Sequence, residues 1–335
     1  MRVAVDAMGG DFAPAAIVAG AVDAARTLKG LTSLTLVGDE AAIRRELAGR
    51  GPIPPIIQVR HASEVVGMEE TPTVAIRRKK DSSINRAVDM VKHGEADAIF
   101  SAGNTGAAVV STTLKLRTLE GVQRPAIATV IPTPTKPFVM IDSGANPDCN
   151  PVMFAQFAVM GSVYSREILG CPNPTVGLLS IGGEATKGNE ATKDAFKILE
   201  KSTLSFHGNV ESSDIFNGVV DVVICDGFVG NVVLKTSESV ARTISRWIRE
   251  ECSRNPLRML GALLARGAFG TIRRRSDPAM YGGAPLLGVR GSCIIGHGSS
   301  SSRAVFNGIR VAAESVSHHI NQMIVDEIHN LGKTL

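Results

Sequence analysis

The sequence predicts an α/β fold built on a mostly parallel, doubly wound sheet, and three observations carry that reading. Short runs of Val, Ile, Leu and Ala alternate along the chain with segments of helical spacing. The runs lack polar alternation, the mark of strands covered on both faces. Glycine-rich polar segments follow many of them, where strands hand over to helices. Repeated strand–helix order closes by right-handed crossovers into a parallel sheet. With 335 residues, 44% hydrophobic and 20% charged, the chain can bury a sizeable core, and with only 4% aromatics that core is aliphatic.

In order, Val3–Asp6 reads as a strand and Pro14–Leu28 as a helix with Ile17, Val18, Ala21 and Val22 at apolar spacing. Leu34–Val37 is a strand, Glu40–Leu47 a helix and Ile56–Val59 a strand. Ser83–Val91 is a helix capped by Ser82 or Ser83, followed by the buried strand Ala98–Phe100. Ile127–Ile131 and Phe138–Ile141 flank Pro132-Thr133-Pro134-Thr135-Lys136-Pro137, a stiff turn that predicts a hairpin at a sheet edge. The rhythm resumes with helix Pro151–Ile168, strand Val176–Ile181, helix Glu190–Leu199 and strand Val222–Cys225. Helices over Gly230–Cys252, Pro256–Leu264 and Ser301–Ile328 complete the chain. No repeat or linker divides it, so 1–335 reads as one domain, with 230–276 as a protruding helical extension.

Several classes are excluded. No run of about 20 apolar residues predicts a spanning helix, and no basic-then-apolar leader is visible. Five scattered cysteines without CxxC argue against a disulfide framework or zinc site and for a reducing cytoplasm. A net charge of +4 gives no reason to expect nucleic acid. The dedicated nucleotide loops, the GxSxG elbow and HExxH are all missing.

Six polar glycine loops carry the chemistry. They are Asp6-Ala7-Met8-Gly9-Gly10-Asp11, Ser101-Ala102-Gly103-Asn104-Thr105-Gly106, Asp142-Ser143-Gly144-Ala145-Asn146, Gly182–Gly188 with Lys187, Cys225-Asp226-Gly227-Phe228-Val229-Gly230-Asn231, and Gly296-His297-Gly298-Ser299-Ser300. A glycine loop opening a helix offers free N–H groups and the positive end of a helix dipole, a natural seat for phosphate. Such loops gather at the carboxyl ends of strands, so one shared polar cleft at one sheet edge is expected, with Asn104, Asn146, Lys187 and Asn231 lining it beside Gly10 and Gly103. Lys79-Lys80-Asp81-Ser82-Ser83 sets ammonium and hydroxyl groups on an anion or is a solvated turn with a helix cap. Lys187 is a phosphate ligand or a surface lysine, and His297 a proton donor, an anion ligand or part of a capping loop. Cys225 ends a buried strand with no histidine beside it and reads as inert core.

Together, Asp6–Asp11 with Ala13-Pro14, Arg77–Ser83, Ser101–Ala107, Asp142–Cys149, Gly208–Glu211, Cys225–Lys235, Tyr281–Gly288 and His297–Ser300 resemble, in order and over nearly the whole chain, the bacterial acyl-acyl-carrier-protein:phosphate acyltransferases that start phospholipid synthesis. Gly183 stands where an acidic residue is expected and Ser143 where an apolar one is. The resemblance implies an α/β/α sandwich like that of phosphotransacetylases and isocitrate/isopropylmalate dehydrogenases, and a homodimer. It also implies that inorganic phosphate attacks the thioester of an acyl chain on acyl carrier protein. The resulting acyl phosphate passes to a membrane glycerol-3-phosphate acyltransferase.

Phosphate is a good nucleophile and a thiolate leaves readily, so positioning and charge stabilisation suffice, without metal, cofactor or catalytic triad. Lys187, Asn231 and His297 are the expected catalytic residues. Gly9, Gly10, Asp11, Lys80, Ser82, Ser83, Ser101, Gly103, Asn104, Thr105, Gly106, Asp142, Gly144, Asn146, Asp226, Gly227, Gly230, Gly298 and Ser299 are the expected substrate-binding ones. Three rivals are a phosphotransacetylase-like enzyme for another thioester, a decarboxylating dehydrogenase, and a non-enzymatic binder of anionic surfaces. The dehydrogenase lacks its acidic metal cluster, and the binder needs no such loops.

The segment from Cys252 to Ser276 carries Arg254, Arg258, Arg266, Arg273, Arg274 and Arg275 and no acid. Leu257, Met259, Leu260, Leu263 and Leu264 lie between them at helical spacing. This predicts a helix that presses leucines into a membrane while arginines meet anionic headgroups, or one packed in the dimer with arginines toward the acidic carrier.

Overall fold

A computed structural model describes residues 1–275 and 277–333. Its strands are β1 (Arg2–Asp6), β2 (Ser33–Gly38), β3 (Ile57–His61), β4 (Ala98–Ser101), β5 (Ala126–Ile131), β6 (Phe138–Ile141), β7 (Thr175–Leu179), β8 (Ser205–Val210), β9 (Val222–Ile224), β10 (Ala284–Leu287) and β11 (Ser292–Ile295). The helices up to the second sheet block are α1 (Ala15–Thr27), α2 (Glu40–Ala48), α3 (Pro72–Arg78), α4 (Ser83–Lys92), α5 (Thr105–Leu116) and α6 (Pro151–Leu169). The later ones are α7 (Glu190–Lys201), α8 (Ser212–Ile215), α9 (Gly227–Cys252), α10 (Pro256–Leu264), α11 (Arg266–Arg275), α12 (Ser302–Ser317) and α13 (Ile320–Gly332). Ser276 and the side chain of Arg273, both in the basic segment, lie outside the described residues.

The eleven strands form one sheet in the order β3-β2-β1-β4-β11-β10-β5-β6-β9-β7-β8. The first five are parallel, and so are the last four. Between them three antiparallel pairings, β11–β10, β10–β5 and β5–β6, reverse the direction an odd number of times. The two parallel blocks therefore run in opposite senses. The proline turn does join a hairpin, but β5 and β6 sit in the middle of the sheet rather than at an edge, because β10 and β9 pair with their outer sides.

Both faces are covered. Along β5, Ala128 and Val130 enter one core with α6 and α13, while Ile127 joins α4 and α5 on the other face and Ile131 a cluster beneath Val233 and Leu234 of α9. α1 and α12 cover the first block on the α6 side. The C-terminal helix divides into α12 and α13 at His319, whose left-handed φ of 52° interrupts it.

α9 to α11 leave this body. Of α9's 26 residues only Gly227 and Gly230 are buried, and none of α10 is. At about 1.5 Å per residue α9 is roughly 39 Å long, an arm held to the sheet by its first two turns.

Candidate active site

The first loop group forms where β1, β4 and β11 end side by side. Asp6 is buried, and its carboxylate accepts from the Ser101 hydroxyl at 2.7 Å and the Met8 amide at 3.2 Å. Burial pushes its pKa up, against the pull of hydrogen bonds from Ser83, Ser101, Met8 and Gly9. The Gly103 amide donates to the Ser101 hydroxyl at 3.2 Å. A Cβ on Gly9 would stand 2.6 Å from the Gly103 nitrogen, so only glycine lets these two loops touch. Asp6, Gly9, Ser83, Ser101, Gly103 and Asn104 enclose a small cavity. Gly10 and Gly298 close this group from the side, with the Asp11 amide donating to the Gly298 carbonyl at 2.8 Å.

Within this group several expected ligands have other work. Asn104 caps α5 through its oxygen, and its amide donates to the carbonyls of Met68 and Glu70 at 2.9 and 3.0 Å, tying the 67–70 loop to Thr105 and Gly106. Ser82 is buried and donates to the Lys79 carbonyl at 2.8 Å. Lys79 pairs with Glu70 at 2.5 Å, which leaves Lys80 as the exposed cation of its motif.

The second group hangs on Asp142, at the end of β6. This buried carboxylate accepts from the amides of Ile127 (3.0 Å), Gly144 (3.1 Å), Ala145 (3.1 Å) and Asn146 (2.6 Å), and from the Asn146 side chain at 2.9 Å. Burial pushes its pKa up, and these donors oppose the rise. Asn146 also donates to the Pro125 carbonyl at 2.7 Å, and its own carbonyl accepts from Gly227 at 2.7 Å. Asp226 caps α9 by accepting from Val229 at 2.7 Å. Gly230 lies against the Asp142 carbonyl so closely that no side chain fits, and Asn231 packs beside Gly144.

Lys187 belongs to a third loop, after β7. Its carbonyl neighbour Glu184 accepts from Asn209 at 2.7 Å, and the Lys187 ammonium has no partner among the described residues. β7 is parallel to β9, so this loop leaves the sheet at the same end as the Asp142 group. Exposed Glu184 supplies a carboxylate beside Gly183.

The single-edge expectation is therefore corrected. Asn146, Asn231 and Lys187 follow strands of one block, while Gly10, Gly103 and Asn104 follow strands of the other, which points the opposite way. What joins the first two groups is α9. It starts at the Asp142 loop and carries Lys235 to within 3.4 Å (Nζ to Nε2) of His297, on the loop after β11. Ala145 packs against the core that holds Ala107 at the start of α5. The cleft thus lies on the α5/α9 face of the sheet, between two opposed sets of strand ends. Lys235 was missed from sequence as a site residue; its signal is its place four residues after Asn231, one helical turn along the same face. Among the described residues no group of three His, Cys, Asp or Glu is placed to hold a metal. Cys225 is buried, its thiol pushed well above the ordinary range by desolvation, as an inert core residue requires.

On the arm, Leu260, Leu263 and Leu264 are 53%, 58% and 80% exposed. Arg254 and Arg258 both pair with Glu251, and Arg266 is exposed. Among the described residues no helix is long and apolar enough to cross a membrane.

Backbone amides at the starts of α5 and α9, with Lys235 and His297 at its edge, give this cleft of an α/β fold the chemistry to hold an anionic group. Residues 1–323 match the family model described as fatty acid synthesis protein, and the chain belongs to that family. It is 49% identical to the phosphate acyltransferase of Geobacter sulfurreducens over 98% of this chain and 94% of that one. Against the phosphate acyltransferase of Pelotomaculum thermopropionicum the identity is 48%, over 99% and 96%. In fold it is similar to a phosphotransacetylase from Streptococcus pyogenes (TM-score 0.62, 16% identity, 95% of this chain and 94% of that one).

Proposed function

We infer that this chain is an enzyme of lipid synthesis that transfers an acyl group to inorganic phosphate, and that its donor is a fatty acyl thioester of acyl carrier protein. The observation that carries the chemistry is the cleft between opposed strand ends, bridged by α9 and edged by Lys235 and His297. A phosphate oxygen attacks the thioester carbonyl carbon, the new C–O bond forms, the C–S bond breaks and the carrier leaves as a thiolate that takes its proton from water. Backbone N–H groups at the starts of α5 and α9 stabilise the charge, and the exposed ammonium groups of Lys187 and Lys80 are available to draw in anions.

The arm supports the remaining partners. Val240, Ile244, Trp247 and Ile248 lay an exposed apolar stripe along α9, suited to a second copy of the chain. Beyond it the α10 leucines, flanked by arginines, suit an anionic membrane surface, where the product meets a glycerol-3-phosphate acyltransferase.

The test is release of carrier thiol from purified acyl carrier thioester. Release is expected to require phosphate and to persist in chelator without nicotinamide. Loss of turnover in chelator, restored by one divalent metal, would remove the metal-free mechanism. Activity with small acyl thioesters alone would favour the phosphotransacetylase-like alternative.

A further inference from the structure

We propose that Lys235 and His297 form a two-donor clamp across the cleft that binds the attacking phosphate through its non-attacking oxygens; this rests on the acyl-to-phosphate reading above. The reasoning starts from the ring of His297. Its Nδ1 receives the Ser299 backbone N–H at 3.2 Å, and a backbone N–H can only donate. Nδ1 is therefore the unprotonated nitrogen, and the neutral ring carries its proton on Nε2. The Ser299 hydroxyl lies 2.8 Å from the same Nδ1.

Nε2–H faces the Lys235 ammonium at 3.4 Å. An ammonium has no lone pair, so neither group can accept from the other. Two donors from opposite walls converge on one point with no acceptor between them. An anion with several oxygens satisfies both, and a phosphate does so with one charge-assisted bond and one neutral bond. Glu238 stands 3.4 Å from the Lys235 ammonium on the next turn and is shared with Arg242 at 3.6 Å, so it offers Lys235 a long contact that phosphate can outcompete.

The placement suits the reaction. Lys235 comes from α9, whose first turn packs against the Asp142 loop, and His297 from the loop beside Gly10 and Gly103. Phosphate held between them therefore sits where both loop groups meet, and binding ties the two sheet blocks together. With Nδ1 taken by the Ser299 amide, the clamp uses the Nε2–H of His297 to hold a phosphate oxygen.

The experiment compares the full chain with Lys235→Met, Lys235→Arg and His297→Phe, using acyl carrier thioester and varied phosphate. Lys235→Met is expected to raise KM for phosphate at least tenfold while leaving KM for the acyl carrier within about twofold, and Lys235→Arg to recover part of the loss. His297→Phe should raise the same KM and add little to Lys235→Met in the double variant. Independently of turnover, ring nitrogen NMR shifts should show His297 with its proton on Nε2 and should move on addition of inorganic phosphate, a movement lost in Lys235→Met. A proton on Nδ1, or Lys235→Met with an unchanged phosphate KM, overturns the clamp. Wild-type protein that releases no thiol with phosphate sinks instead the reading on which it rests.

Discussion

Asn146 and Lys187 were both expected from sequence to line the phosphate cleft, and the structure gives them different surroundings. The Asn146 amide is spent on Asp142 and on the Pro125 carbonyl, so it shapes the loop that seats the start of α9. Asn146→Ala removes two hydrogen bonds, each worth about 1 kcal/mol, and leaves the buried Asp142 short of a donor. The expected outcome is a lower Tm together with at least a tenfold loss of turnover; a variant with normal turnover would count against the cleft as drawn. Lys187, by contrast, has no partner among the described residues and is exposed. If it meets phosphate, Lys187→Ala loses a charge-assisted contact of about 1.5–3 kcal/mol and raises the phosphate requirement roughly tenfold or more. An unchanged phosphate dependence identifies it as an ordinary surface lysine. Residue types at strand ends were legible in the sequence, whereas the direction in which each amide points is set by partners such as Pro125 and Met68, distant in sequence.

At the scale of elements, β1, β2 and β4 of the first block were readable because each is a mostly apolar, buried run followed by a helix. β10 and β11 escaped notice: Ala284–Leu287 and Ser292–Ile295 are four residues each, set among glycines that signal turns. The proline turn announced a hairpin, but an edge position was inferred from proline's missing donor, and these prolines lie between the strands rather than within them. One junction shows how elements are tied to the site. Asp81 accepts from the Ser63 amide at 3.0 Å and hydroxyl at 2.6 Å, and from Arg86, so it fixes the end of β3 to the start of α4 where Ser82 and Ser83 lie. These donors, the Ser63 hydroxyl foremost, hold its pKa below the ordinary carboxylate range. A depressed folded-state pKa contributes stability above the unfolded value and loses it as the pH falls. The Tm gap between wild type and Asp81→Asn should therefore be full at pH 7 and begin to narrow only below about pH 4, shrinking further as the pH falls toward the depressed folded value. A gap that stays constant with pH assigns Asp81 no such linkage.

For the molecule as a whole, the arm is the feature that no single-domain core explains. Its apolar residues were legible from spacing, but whether they faced a core could be decided only once α9 was seen to leave the sheet. Leu260→Glu with Leu264→Glu is expected to abolish sedimentation with anionic vesicles while the soluble activity and the dimer proposed through the α9 stripe survive, because both side chains lie beyond that stripe. Should the double variant collapse to inactive monomers, α10 belongs to the subunit interface instead.

The central position of β11 governs how such a molecule is made. Ser292 pairs with Ala98, close to two hundred residues earlier, and β10 must then fill the gap to β5. A ribosome delivers both flanking blocks long before it delivers the strands that join them. Until then β4 and β5 each present an open hydrogen-bonding edge, at which a nascent chain can pair with another copy. Joining the two blocks therefore requires a late hairpin, β10–β11, to enter the middle of the sheet before α12 and α13 can cover it, and that same hairpin brings His297 to the loop group formed by β1 and β4. The joined sheet and the completed cleft need the same segment, so a chain that ends before residue 298 would lack both.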